Sequence, residues 1–305
     1  MRTSFVRLMI HSLLIIALAL QSSASQVACA ADSESGDQYE QVINQFLLGR
    51  QKLKTGIARY RGKYSYVIES DQRQRNCEIN GLYAFDFPEG LLRIDESFRT
   101  TEADGTPVTD AVKGFQFAVQ EDKTLLRFPE DATPRRVVNM RRDLPEYATK
   151  FDLRVLGATH AVGWDRMTLS DLAETFDNQR QYVTEVVRDD KRVRVTWIFQ
   201  TNDRPGFRRT IWFRVDHDYC PEKIEVCLKK RINADGAAKS NSTEWSEPSQ
   251  SQQLDVVEFR DQWVPKTLNL VNGTSKRTLE FSWKSLNEPV DSKTFDFDHQ
   301  VDQND

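Results

Sequence analysis

"TLEFSWKSLNEPVDSKTFDF", residues 278–297, is the stretch on which the fold turns. Its first six residues alternate. Leu279, Phe281 and Trp283 share one side, and Thr278, Glu280 and Ser282 the other. Period two with one apolar side is the pattern of an antiparallel strand with one face covered and one in water. Asn287-Glu288-Pro289 interrupts it. Pro289 is expected to end the ladder, because it has no N–H to donate. Phe295 and Phe297 lie two apart beyond the break. An extended segment would turn both rings one way and fasten the chain end against the core.

The same alternation recurs upstream. In "VRVTWIF" (193–199), Val193, Val195, Trp197 and Phe199 oppose Arg192, Arg194 and Thr196. In "RTIWFRV" (209–215), Ile211, Phe213 and Val215 share a face. In "KIEVCLK" (223–229), Ile224, Val226 and Leu228 oppose Lys223, Glu225, Cys227 and Lys229. Nearer the N-terminus come "ARYRGKYSYVIES", "CEINGLYAFDFP", "GLLRIDESFRT", "GFQFAVQ", "KTLLRFP" and "RRVVNM", separated by Gly, Pro and Asp. Such runs at hairpin spacing predict antiparallel pairing.

Two segments switch to helical period. In "QYEQVINQFLLGRQKLKTG" (38–56), Tyr39, Val42, Ile43, Phe46, Leu47 and Leu53 form one stripe, with Gly56 as the stop. The polar face carries both signs of charge, which suits packing on a sheet better than lying on a membrane. In "TLSDLAETFDN" (168–178), Thr168 caps with Asp171 three later, and Leu169, Leu172, Ala173 and Phe176 make the stripe. Residues 144–167 are irregular with helical hints. "NADGAAKSNSTEWSEPSQSQ" (233–252) reads as a mobile polar loop between strands. One domain over 38–297 is preferred to two, because neither half has enough strands to complete its own sheet.

The N-terminus reads as an export signal, residues 1–30: Arg2 and Arg7, the apolar core "LMIHSLLIIALAL" (8–20), and "ACA" (28–30) for cleavage. An uncleaved anchor and lipidation of Cys29 are the alternatives. Polar Gln26, and the distance of Cys29 from the apolar core, argue against lipidation. A polar leader (31–37) and an acidic tail (298–305) flank the domain. No transmembrane segment is expected in the mature chain, which is placed in the periplasm or outside the cell.

The formal net charge is −4, and removal of Arg2 and Arg7 makes the chain more acidic still. That leaves no basic footprint for nucleic acid. Cys77, Cys220 and Cys227 remain after cleavage, an odd number that indicates no disulfide framework. No zinc-protease helix, serine elbow, phosphate loop or dinucleotide fingerprint is present. "VDHDY" (215–219) gathers Asp216, His217 and Asp218, and Cys220 follows. A polar turn and a structural thiol explain them without a second cluster. Any glycosidase pair would be an arbitrary choice among 46 carboxylates. No catalytic residue, metal ligand or cofactor is assigned. What the chain does supply is large apolar surface on one sheet face, which covering helices or a ligand must fill.

In order, "QVINQFLLGRQKLKTG" into "YRGKYSYVIES", "GLYAFDFPEGLLRID", "FDLRVLGA" and "TLSDLAETF", "IWFRVDHDYCPEKIEVCL", "WVPKTLNLV" and the closing N-x-P-V-D-x-x-x-F-x-F phrase resemble the LolA/LolB-like lipoprotein-carrier superfamily over roughly residues 38–297. The resemblance implies an α+β fold: a curved antiparallel sheet, half-closed as a β-barrel, with the N-terminal and intermediate helices over its concave face. It implies binding of lipid or lipoprotein acyl chains without covalent chemistry. An acyl chain gains roughly 0.8 kcal/mol per buried CH₂, so a carrier needs an apolar cavity and a gate. On this reading Val195, Trp197, Phe199, Ile211, Phe213, Leu279, Phe281 and Trp283 line the cavity wall, and Leu169, Leu172 and Phe176 lie on a lid helix. The superfamily includes a stress-sensor branch that also binds proteins, and a filled-core module that binds a cell-envelope protein is the alternative reading. Apart from the resemblance, a hydrolase built on His217 or a carboxylate is a third.

Overall fold

The computed structural model describes residues 33–68, 73–109, 111, 113–120, 123–137, 152–159, 168–201, 204–229, 232–234, 237–239 and 244–299. The expected signal segment, most of 144–167 and the last six residues lie outside these.

A first meander runs through β1 (Thr55–Ile68), β2 (Arg73–Asp86), β3 (Leu91–Glu102), β4 (Gly114–Gln120), β5 (Lys123–Arg127) and the short β6 (Arg135–Arg136). A second runs through β7 (Val183–Arg188), β8 (Arg192–Thr201), β9 (Arg204–Arg214), β10 (Cys220–Lys229), β13 (Trp245–Phe259), β14 (Gln262–Asn272) and β15 (Ser275–Leu286). They join where β1 pairs antiparallel with β15, giving one 13-stranded sheet in the order β6-β5-β4-β3-β2-β1-β15-β14-β13-β10-β9-β8-β7. The sheet is curved and unclosed, and its two edges are β6 and β7. The chain between these edges carries a 3₁₀ turn (Leu153–Val155) and helix α2 (Leu169–Gln179). Helix α1 (Ser33–Gln51) precedes β1. The expected α+β half-barrel with helices on one face is what the chain forms.

Inward-facing side chains make two cores. One joins β1–β5 to β13–β15 through Tyr83, Phe85, Ile94, Phe117, Leu268, Leu279 and Phe281, and takes in Leu153 and Leu156 from the bridging segment. The other lies between α1, α2 and β7–β10. In the first core Gly81 is required: a Cβ there would lie 2.2 Å from the Tyr60 ring. That ring delivers its hydroxyl to the buried carboxyl of Glu96 at 2.5 Å, with Arg277 at 3.5 Å on the other side.

Several boundaries differ from the pattern in the sequence. α1 starts at Ser33, within the expected leader, and ends at Gln51; Gly56 lies inside β1, opposite Phe85 and Leu286. Residues 245–252, expected in a loop, belong to β13, because they pair with β10 and β14 despite their polar composition. Ile232–Ala234 and Ala237–Lys239 form a small separate hairpin, β11–β12. On β10, Leu228 is 48% exposed while Cys227 is buried, beside a register shift in the pairing with β13. Three free cysteines, Cys77, Cys220 and Cys227, are buried among the described residues.

The closing phrase also departs from expectation. β15 ends at Leu286, before Pro289, because Asn287 turns left-handed (φ 54°) and its side chain accepts from the Lys54 N–H. Residues Ser292–Phe295 form a 3₁₀ turn rather than an extended run. The turn packs on the outer face of β3 and β4, where register places Ala84, Arg93 and Ala118 in one row. Buried Arg93 pairs with Asp95 at 2.6 Å and donates from Nη1 to the carbonyls of Thr294, Asp296 and His299. Gln120 and Arg127 donate to the carbonyls of Phe295 and Phe297. Phe295 and Phe297 are buried in this strap, outside both inner cores.

Candidate functional site

The concave face under the helices is built by strict alternation. Val193, Val195 and Trp197 on β8 stand beside Phe213, Ile211 and Arg209 on β9. α1 lays Tyr39, Val42, Ile43 and Phe46 over this row, and α2 adds Leu169, Leu172 and Phe176. α2 starts where expected: the Thr168 side chain accepts from the Asp171 N–H, and Asp171 returns the bond in a full capping box. The cover is aromatic. Phe176 stacks on Trp197 at 5.9 Å, Tyr39 meets the same indole edge-on at 5.9 Å, and Phe46 lies 5.7 Å from Phe213. The Tyr39 hydroxyl donates to the Phe176 carbonyl at 2.7 Å and ties the two helices together. Burial pushes that phenol's pKa far up.

The expected wall is therefore divided between two cores. Val195, Trp197, Ile211 and Phe213 lie under the helices, with Phe199 partly buried beside them. Leu279, Phe281 and Trp283 lie on β15 in the other core, where Trp283 donates to the Pro265 carbonyl at 2.8 Å. Leu169, Leu172 and Phe176 are buried on α2 and face Trp197 and its neighbours.

The row is open at one end. Phe199 stacks on Phe207 at 4.4 Å and meets Tyr182 at 4.9 Å; all three are half-buried, and exposed Leu228 is paired opposite Phe207. Just inside, the Arg209 guanidinium lies 4.4 Å over the Trp197 ring and bonds Gln179 of α2. A cation over an indole face is attracted by the ring quadrupole. Arg209 occupies an apolar-face position of β9, so its parity alone marked it in the sequence. Phe207 and Tyr182 lay outside the strand patterns.

The opposite end is the foot of α1. Gly49 presses on the 215–219 turn: a Cβ would meet the Asp218 carbonyl oxygen at 2.7 Å. Asp218 and Tyr219 are both left-handed there. Two of the three polar residues of this turn gather on Arg214: His217 Nε2 lies 3.4 Å from its Nη2 and 3.9 Å from Asp216 Oδ2. Asp216 pairs with Arg214 at 2.8 Å, which lowers its pKa to about 2. Asp218 pairs with Lys52 at 2.8 Å. His217 stacks on Trp263 at 3.8 Å, and burial, with Arg214 beside it, lowers its pKa. No group of three metal-type side chains occurs among the described residues. Buried Arg50 also reaches this end. It sits four beyond Phe46 and seven beyond Ile43 on the helix stripe, a position at which an arginine was a signal in itself.

No family model matches the sequence, and no curated protein does. Among solved structures the chain is similar to a LolA superfamily protein from Nitrosomonas europaea (TM-score 0.41, 9% identity, 85% of this chain and 97% of that one). It is similar also to a DUF1329 family protein from Desulfovibrio piger (TM-score 0.44, 10% identity, again 85% and 97%). A third is a β-barrel-like DUF1849 protein from Brucella abortus (TM-score 0.27, 11% identity, 77% and 99%). The first carries the name of the superfamily that the sequence resembles. None reaches a TM-score of 0.5, so the fold rests on this chain's own strand order and register. No helix among the described residues is long and apolar enough to cross a membrane.

Proposed function

We propose that the protein is an exported, non-enzymatic carrier or sensor that binds lipid, or the acyl chains of lipoproteins, beneath α1 and α2. The supporting observation is the continuity of the apolar row. It runs from Val193, Val195 and Trp197, fully buried, to half-buried Phe199 and Phe207 and exposed Leu228. At about 3.3 Å per residue, β8 offers roughly 20 Å of apolar wall from Val193 to Phe199, the scale of a long acyl chain. The cover consists of helices that meet the wall through side chains, so an occupant displaces rings rather than a hydrogen-bonded ladder. Val195, Trp197, Phe199, Ile211 and Phe213 line the path, Leu169, Leu172 and Phe176 form its lid, and Leu279, Phe281 and Trp283 extend the concave face across β15.

A second reading, a cell-envelope protein-binding module with a filled core, has one observation in its favour. Both inner cores are packed with the chain's own side chains, while an open cleft of about 590 Å³ lies outside, against Phe297 and Lys293 of the strap. Gentle purification, solvent extraction and mass spectrometry discriminate the two. Copurifying lipid, with saturable uptake of the apolar dye Nile red displaced by acyl compounds, is the expected result. Absence of both overturns the carrier reading in favour of the module.

A further inference from the structure

The open end of the wall is the tip of the β8–β9 hairpin. Phe199 is paired with Phe207 there, next to the closing pair Thr201–Arg204. The end of β10 lies alongside, with Leu228 opposite Phe207 and Lys229 opposite Trp245 at the start of β13. Leu228 is 48% exposed, and Tyr182, Phe199, Phe207 and Trp245 are half-buried. Alternation sends Arg208 to the outer face of the tip, where its guanidinium lies 5.4 Å over the Trp245 ring. Leu228 and Trp245 belong to neither inner core, so packing does not account for them. A lone exposed leucine would need no explanation; one joined to a run of aromatic rings at a hairpin tip does.

These residue types are those that settle at a bilayer surface. Leucine and phenylalanine side chains partition into the acyl region, while tryptophan and tyrosine lie at headgroup level, ring inward and polar edge outward. Arginine and lysine beside them bury their stems and keep the charged ends in water. Other occupants fit less well. A stable protein interface, with a second copy or another chain, takes about 20–30 residues a side, and this lip offers a handful. Nucleic acid needs a surplus of cations, whereas among the described residues Arg208 and Lys229 stand with exposed Glu244 and Glu247 beside Trp245. A bilayer requires no matching surface, only apolar side chains that can leave water. An acyl chain passing from a membrane to this wall through water would expose its methylenes on the way, and a lip seated in the membrane removes that step.

We propose that this lip, with Leu228 and Trp245 at its edge, seats in the headgroup layer of a phospholipid bilayer and sets the open end of the wall against the membrane. The inference rests on the lipid-binding reading above and adds where the ligand is loaded and which end of the molecule faces the membrane. The test is flotation of the protein, purified after export, with vesicles of dioleoyl phosphatidylcholine, alone and mixed with dioleoyl phosphatidylglycerol. Wild type should bind the phosphatidylcholine vesicles. Leu228→Ser should weaken that binding by about fivefold, the scale of half a leucine side chain kept from an apolar phase. Brominated phosphatidylcholine should quench tryptophan emission, and Trp245→Phe should remove part of the quenching while binding persists. Trp245→Ser should weaken docking and leave Nile red uptake unchanged, because the ring lies in neither core. Dye uptake without vesicle binding overturns this proposal and leaves the carrier intact. So does vesicle binding that the double variant Leu228→Ser/Trp245→Ser retains in full, which places the membrane contact elsewhere. Binding that requires phosphatidylglycerol overturns it too, since the attraction argued here is apolar. If neither dye nor vesicles bind, both readings fall. If the protein is a dimer in solution and Leu228→Ser makes it a monomer, a second copy covers the lip and the membrane assignment is wrong.

Discussion

Removing the Phe295 ring tests whether the C-terminal strap is a structural element or a passive tail. The ring is 2% exposed. A phenylalanine that buries roughly 150–200 Å², at about 25 cal/mol per Å², contributes an upper bound of about 4–5 kcal/mol. The strap is held by side-chain donors on carbonyls and not by a ladder, so it can settle partly into the space left. That lowers the expected loss for Phe295→Ala to about 3 kcal/mol. Urea denaturation followed by intrinsic fluorescence gives the readout. With m near ~3 kcal/mol/M for a chain of this size, the midpoint should fall by about 1 M. The double variant Phe295→Ala/Phe297→Ala should lose less than the sum of the single losses, because the first substitution already weakens the docking that both rings share. A loss under about 1 kcal/mol with unchanged m, or full additivity, would show that the strap does not dock as a unit.

Two further tests address the first core. Burial raises the pKa of Glu96, with Arg277 and the Tyr60 hydrogen bond opposing. The folded state then holds that proton to a higher pH than the unfolded state does, so stability should fall as pH rises from the ordinary carboxylate range through the raised folded value. Glu96→Gln should flatten that part of a stability–pH profile, and an identical slope in variant and wild type would refute it. Gly81→Ala should cost about 1–3 kcal/mol, since the new methyl displaces the Tyr60 ring from Glu96; a change within ~0.5 kcal/mol would mean the ring moves freely.

Legibility in the sequence followed the strength of local pattern. The β8, β9 and β15 rows could be read because alternation was strict over six or more residues and one side was apolar. α2 could be read because its cap, its acid at the third position and its stripe agreed. β13 could not: "WSEPSQSQ" has loop composition, and it is a strand because β10 and β14 offer it two ladders. The C-terminal phenylalanines were rightly marked as anchors and placed on the wrong side of the sheet. Two alternating rings cannot reveal which face they cover, and the reason they cover the outer one, Arg93 among alanines, is just over two hundred residues away in sequence. The inward rows could be read strand by strand, but their division into two cores depends on where α1 and α2 lie. Arg50 and Arg209 were missed because charge was read as solvent exposure. Each sits at an apolar phase of its own element, and that conflict between residue type and period was the available signal.

The seam between β1 and β15 has a kinetic consequence. Each meander pairs neighbours close in sequence, and their ladders can form as soon as each hairpin is complete. The seam joins Gly56 to Leu286 and Lys63 to Thr278, contacts spanning most of the chain. Such closure comes late, because the loop entropy must be spent before the ladder returns it. A ribosome releases β1 long before β15 exists, so the nascent first meander, with β1 already paired to β2, keeps the other edge of β1 open until the last ladder arrives. Folding of this sheet therefore ends at its middle, while the two strands left at its edges come from the middle third of the chain.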